Sequence, residues 1–67
     1  MEYVNIRRAM SDADQVRDFA DRKFGFKPWM VVPLEACAGN PEAYCMFEVC
    51  GIQYRCTDGE LEIYSGM

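Results

Sequence analysis

Residues 44–64, YCMFEVCGIQYRCTDGELEIY, predict three short β-strands joined by two tight turns. Apolar and polar side chains alternate along each segment, as they do in strands that bury one face. The dipeptides Cys50-Gly51 and Asp58-Gly59 interrupt this alternation, and their glycines can adopt the positive φ that a two-residue hairpin turn requires. The stretch is therefore predicted to form an antiparallel meander.

Two-residue turns at these positions fix which residues lie opposite each other. On one face every predicted cross-strand pair is apolar: Val49–Ile52, Phe47–Tyr54, Cys45–Cys56, Cys56–Leu61 and Tyr54–Ile63. On the other face the predicted pairs are polar or mixed: Arg55–Glu62, Gln53–Tyr64 and Met46–Arg55. We therefore expect the first face to be core and the second to face solvent.

Residues 12–24, DADQVRDFADRKF, predict one amphipathic helix. Ser11 is suited to the N-cap, and Gly25 fits the position that ends a helix. Apolar side chains follow the helical period at Ala13, Val16, Phe19 or Ala20, and Phe24. The opposite face carries Asp14, Asp18 and Asp21, with two expected ion pairs, Arg17–Asp21 and Asp18–Arg22.

Two further strands are predicted outside the meander. Residues 2–8, EYVNIRR, alternate and predict a first strand, and residues 29–36, WMVVPLEA, predict a strand between the helix and the meander. Pro33 has no N–H to donate, so this strand is expected to lie at a sheet edge or to end near the proline. Trp29 adjoins the helix end and is predicted to be a core anchor.

These elements predict a single α+β domain spanning residues 1–67. One amphipathic helix is expected to pack on a mostly antiparallel sheet of four or five strands, in the order β-α-β-β-β-β. A chain of this length lies near the lower limit for folding on a hydrophobic core alone.

The net charge of −4 is unevenly distributed, because residues 1–34 carry +1 and residues 35–67 carry −5. Such an acidic half repels nucleic acid and anionic membranes and attracts basic surfaces, although it also serves solubility. No apolar run approaches the length of a membrane span, and no secretory leader is indicated. A cytoplasmic location is the expectation.

Catalytic and metal-binding patterns are missing from the sequence. There is no histidine, which removes the commonest general base and metal ligand. The four cysteines, Cys37, Cys45, Cys50 and Cys56, contain no C-x-x-C pair. We expect them to be reduced thiols, with a Cys45–Cys56 disulfide or a metal site as alternatives. The prediction is a protein that is not an enzyme and holds no cofactor or metal.

The chain resembles, in kind, the small acidic proteins that phages and mobile elements encode against host defences, anti-CRISPR proteins among them. The features that carry the resemblance are its 67 residues, the absence of histidine, the lone helix DADQVRDFADRKF and the acidic meander FEVCGIQYRCTDGELEIY. The resemblance spans the whole chain but includes no specific motif, so it assigns no role to an individual residue. It implies an inhibitor whose carboxylates take the place of phosphates in a partner's basic nucleic-acid channel.

The predicted function is a non-enzymatic interaction protein, an inhibitor that docks an acidic face on a basic surface of a partner protein or nucleoprotein complex. The charge is expected to come from Glu48, Asp58, Glu60 and Glu62, with Tyr44, Met46 and Tyr64 as apolar anchors. The chain is expected to act as a monomer or a homodimer.

Two alternative functions are open at this point. The first is a self-associating structural or adaptor module that pairs through an exposed strand edge. The second is a nucleic-acid-binding accessory protein that uses Arg7, Arg8, Lys23, Lys27 and Trp29. The net charge of −4 argues against this second alternative.

Overall fold

The computed structural model of the chain describes residues 11–37 and 39–64. Its elements are the helix α1 (Asp12–Phe24), a 3₁₀ turn (Pro28–Met30), and the strands β1 (Val31–Ala36), β2 (Tyr44–Val49), β3 (Ile52–Thr57) and β4 (Glu60–Ile63). The strands form one antiparallel sheet in the order β1-β2-β3-β4. The predicted fold class, a helix packed on an antiparallel sheet, is confirmed. The strand predicted at residues 2–8 lies outside the described residues.

Both predicted hairpin turns are present. Cys50 and Gly51 have φ of 52° and 82°, and Asp58 and Gly59 have φ of 51° and 81°. Positive φ at both central residues is the geometry of a type I′ turn, whose twist matches that of the flanking strands. The predicted pairs of β2 with β3 and of β3 with β4 are found in the sheet, except Gln53–Tyr64, which lies just past the end of β4. There the Tyr64 N–H donates to the Gln53 carbonyl at 2.8 Å. The turn chemistry therefore sets the register.

The ends of α1 follow the predicted capping. The Asp14 N–H donates to Ser11 Oγ at 3.2 Å, which satisfies one of the free donors of the first turn. Gly25 has a φ of 81°, and the Phe26 N–H donates back to the Ala20 carbonyl at 3.3 Å. This reversal turns the chain toward the sheet.

One of the two predicted ion pairs on α1 is wrong. Arg22 Nε contacts Asp18 Oδ2 at 2.8 Å, as expected. Arg17 contacts Asp14 Oδ1 at 3.3 Å instead of pairing with Asp21, and its Nε donates to the Val31 carbonyl at 3.3 Å. Strand β1, which packs beside the helix, thus offers Arg17 a carbonyl acceptor that the helix sequence alone does not reveal.

The core lies between α1 and the inner face of the sheet, which is the face that the helix covers. Its buried members are Val16, Phe19, Ala20, Val31, Cys45, Phe47, Val49 and Cys56. Phe26 extends this core, because its ring lies 5.8 Å from that of Phe47 and 5.3 Å from that of Tyr54. On β4, Leu61 packs against this core, whereas Ile63 does not.

The prediction that Ile63 belongs to the core is therefore wrong. Ile63 lies opposite Tyr54 on the inner face, yet 69 % of its surface is exposed. The helix packs against β1, at the far side of the sheet from β4. A helix of 13 residues covers only part of a four-stranded sheet, and in the described part of the chain no other helix covers the inner face at β4.

Trp29 also departs from the prediction. It lies in the 3₁₀ turn, the strand begins only at Val31, and 80 % of the tryptophan is exposed. The Met30 N–H closes the turn by donating to the Lys27 carbonyl at 2.9 Å. The space beside the helix end is filled instead by Phe24 and Phe26, whose ring centroids are 6.1 Å apart. The predicted core anchor is thus a surface residue.

Pro33 has the expected effect on β1. Within the described sheet β1 is an edge strand, and its register with β2 shifts between Pro33 and Glu35. The shift places Glu35 opposite Met46. A proline at an edge costs no ladder hydrogen bond, because its missing N–H would face away from the sheet.

Candidate protein-binding face

The outer face is the side of the sheet that α1 does not cover. Along β2, β3 and β4 it carries Tyr44, Met46, Glu48, Gln53, Arg55, Thr57, Glu60, Glu62 and Tyr64. Six of the seven predicted binding residues therefore lie on one face. The seventh, Asp58, is in the turn between β3 and β4. Within residues 11–37 and 39–64, no helix packs on this face.

Arg55 occupies the middle of the outer face and is bound there by its neighbours. Its Nε donates to Glu62 Oε2 at 2.7 Å, and its guanidinium carbon lies 5.4 Å from the centre of the Tyr64 ring. The hydrogen bond to Glu62 raises the pKa of Arg55 above its ordinary value. Met46 lies directly opposite Arg55 on β2. The arginine thus positions Tyr64 and Glu62 on the face.

A second contact positions Tyr44. Its hydroxyl donates to Glu35 Oε1 at 2.9 Å, across from β2 to β1. This hydrogen bond stabilises the neutral phenol beside a carboxylate, and it raises the pKa of Tyr44. Glu35 was not among the predicted binding residues. Its position depends on the register shift after Pro33, and the sequence marks that shift only by the proline itself.

The outer face carries a formal charge of −3, because it combines four carboxylates with one guanidinium. The carboxylates are those of Glu35, Glu48, Glu60 and Glu62, and the guanidinium is that of Arg55. On α1, by comparison, Asp14 and Asp18 each contact an arginine of the same helix. Negative charge is therefore more concentrated on the outer face than along the helix.

The turn between β3 and β4 is fixed to the loop that precedes β2. The Asp58 N–H donates to the Ala43 carbonyl at 3.0 Å, and the Gly59 N–H donates to the Glu42 carbonyl at 2.9 Å. A surface groove of about 350 Å³ begins beside this turn and follows β4. It is lined by Thr57, Asp58, Glu60, Leu61 and Glu62. Asp58 thereby extends the acidic surface to the end of the sheet.

The cysteines are free thiols in two different environments. Cys45 and Cys56 face each other in the core with no exposed surface, whereas Cys37 and Cys50 are exposed. Burial raises the pKa of Cys45 to about 12 and also raises that of Cys56. Such thiols remain protonated near neutral pH and pack as small apolar groups. Over the described ranges, no three His, Cys, Asp or Glu side chains are placed to hold a metal ion.

No family model, curated protein or solved structure matches this chain. In the described part of the chain, α1 is too short and too polar to cross a membrane, and no other helix is long enough. The candidate site therefore rests on the geometry of the outer face.

Proposed function

We propose that this protein is a non-enzymatic inhibitor that docks its outer face on a basic, nucleic-acid-binding surface of a partner complex. The observation that carries the proposal is one sheet face with a formal charge of −3 and three large side chains, Tyr44, Met46 and Tyr64, among its carboxylates. Tyrosine and methionine are enriched in interface cores, and carboxylates suit the rim against a basic partner.

Two side chains of this face are already held in place in the free protein, and this supports the proposal. Tyr44 and Tyr64 are each held by a neighbour, through Glu35 and Arg55 respectively. Side chains that are already fixed lose less conformational entropy when a partner binds. Glu48, Glu60 and Glu62 lie in three different cross-strand rows of this face, so its carboxylates are spread over the sheet. By this proposal they take the place of phosphates in a basic channel, and the protein blocks a nucleic-acid site by occupying it, as the resemblance to anti-CRISPR proteins implies.

A competition experiment tests the proposal. A panel of RNA-guided nucleases, each loaded with guide RNA, is incubated with the protein and then with labelled target DNA. The expected result is that at least one complex loses DNA binding, and that the loss weakens as the salt concentration rises. Unchanged DNA binding by every complex in the panel would contradict the anti-defence function.

A matched pair of variants identifies the face responsible. Glu48→Lys with Glu60→Lys reverses two charges on the outer face, and Asp12→Lys with Asp21→Lys reverses two on the helix. Both variants change the net charge equally. Only the outer-face variant should fail to compete, with slower association as the first sign. Equal loss in both would mean that total charge, and not this face, determines binding.

Exposed apolar residues at one end of the sheet favour a second candidate function, self-association. Trp29 and Met30 precede Val31, and Val31 lies in register with Val49 beside the first hairpin turn. Ile52 follows that turn and is also exposed. A second copy would bury these side chains.

Light scattering over a range of concentrations tests this self-association. The wild type should dimerise and a Trp29→Ser variant should not. A wild type that stays monomeric throughout would exclude this function.

A further inference from the structure

Within residues 11–37 and 39–64, β4 forms an open edge of the sheet. Among the described residues, β4 pairs only with β3. The two-residue turn and the Tyr64 N–H bond to the Gln53 carbonyl, 2.8 Å long, direct the backbone of Glu60, Glu62 and Tyr64 toward β3. The N–H and C=O groups of Leu61 and Ile63 therefore point away from the sheet.

The side chains along this edge differ between the two faces. Glu60 and Glu62 are exposed on the outer face. Leu61 and Ile63 lie on the inner face beyond the reach of α1, and Ile63 is 69 % exposed. The groove of about 350 Å³ is lined by three of these residues, Glu60, Leu61 and Glu62. The edge thus offers carboxylates on one side and apolar surface on the other.

Charge decides which strand fits this edge. A second copy of β4 that pairs in antiparallel register about Leu61 would place Glu60 of one copy opposite Glu62 of the other, and like charges directly opposed destabilise a pair of strands. A strand that alternates basic and apolar residues places its basic side chains opposite Glu60 and Glu62. In such a pair of strands Glu60 and Glu62 occupy non-hydrogen-bonded positions, where cross-strand side chains come closest.

We propose that the β4 edge receives an extended basic segment of the partner protein as an additional antiparallel strand. Basic residues of the segment lie against Glu60 and Glu62, and its apolar residues lie over Leu61 and Ile63. Backbone hydrogen bonds supply affinity and the alternating side chains supply specificity, as in other cases of strand addition. This inference rests on the proposed function and specifies how the basic partner is held.

The test uses a short synthetic peptide that alternates lysine and valine, with two N-methylated versions. In antiparallel register the amides that bond to Leu61 and Ile63 belong to the valines. N-methylation of the valine amides removes these hydrogen bonds and leaves the charge unchanged, so affinity should fall about tenfold or more. N-methylation of the lysine amides should leave affinity within about twofold, since these amides face away from β4. Glu60→Lys with Glu62→Lys should also weaken binding of the parent peptide.

The outcomes separate this inference from the proposed function. Equal affinity of the three peptides would overturn strand addition while leaving electrostatic docking intact, and loss only with methylated lysine amides would overturn the antiparallel register. Failure of the parent peptide to bind would overturn strand addition, and the competition experiment with RNA-guided nucleases would then decide the proposed function alone. A larger affinity loss for the valine-methylated peptide, together with weaker binding by the charge-reversed variant, supports the inference.

Discussion

The two faces of the meander are built from the same strands and turns, but α1 covers only one of them. On β2 the inner residues Cys45, Phe47 and Val49 are all buried, while the intervening Tyr44, Met46 and Glu48 are only partly covered. Alternation along one strand thus separates a core from a surface with a spacing of one residue.

The inner face itself shows how far the core extends. Cys56 on β3 is fully buried, Leu61 opposite it on β4 is partly buried, and Ile63 two residues later is mostly exposed. Burial therefore falls with distance from α1. The outer acidic face and the open inner side of β4 meet at the same edge, which is where we expect a partner strand.

Cysteine reactivity should show the largest difference between buried and exposed positions. In the native protein at pH 8, iodoacetamide should modify exposed Cys37 and Cys50 readily. Cys45 should react about a hundredfold or more slowly, because it is buried and its pKa of about 12 leaves almost no thiolate. Intact mass should show two modifications before unfolding and four after it, without reductant. Four rapid modifications in the folded protein would contradict the described core.

Truncation of side chains should distinguish the two faces next. Phe47→Ala removes a fully buried ring that contacts Phe26 and Tyr54, and it should lower the free energy of unfolding by about 3–5 kcal/mol. Met46→Ala, one residue away on the outer face, should cost less than about 1 kcal/mol. Urea denaturation followed by circular dichroism measures both. Similar losses in the two variants would mean that the outer face is also covered.

Alkaline pH should destabilise the fold through Cys45. Its pKa is raised in the folded state from 9.0 to about 12, so between these values the unfolded chain loses a proton that the folded chain retains. The free energy of unfolding should therefore fall by about 1.4 kcal/mol per pH unit above pH 9 from this group, with full stability below it. A Cys45→Ala variant provides the control. Its free energy of unfolding should fall with pH less steeply than that of the wild type, by about 1.4 kcal/mol per pH unit. Identical slopes would contradict a buried neutral thiol.

The ion pair on the outer face should have the smallest effect on stability. Arg55 and Glu62 are 40 % and 52 % exposed, so solvent screens their attraction. Arg55→Gln should cost about 0.2–1 kcal/mol, and the cost should shrink as salt is added. Thermal unfolding in low and high salt measures this difference. A loss above about 2 kcal/mol would show that Arg55 holds the fold together and does more than position Tyr64.

Most of the meander was predictable from the sequence because its signals are local. Asp58-Gly59 and Cys50-Gly51 specify their turns, and the turns determine every cross-strand pair of β2, β3 and β4. The helix ends were predictable for the same reason, since Ser11 and Gly25 act on backbone groups a few residues away.

The sequence could not show how far α1 covers the inner face of the sheet. Period-2 alternation indicates that Ile63 shares a face with Phe47, but only the position of α1 shows that the helix stops short of β4. Trp29 is predicted to be core because it adjoins the helix end, whereas it lies in the 3₁₀ turn and Phe26 packs beside Phe47 instead. Glu35 joined the candidate site through a register shift that depends on tertiary pairing.

The most direct test of the acidic outer face as the docking surface is a titration with oligolysine, followed by NMR of methyl-labelled methionines. Met46 reports on the outer face, and Met30, at the apolar end near Trp29, serves as the internal control. We predict that the Met46 methyl signal shifts progressively and that the Met30 signal stays in place. In the Glu48→Lys, Glu60→Lys variant the Met46 signal should not shift either. A shift of Met30 with an unchanged Met46 signal would contradict the central claim.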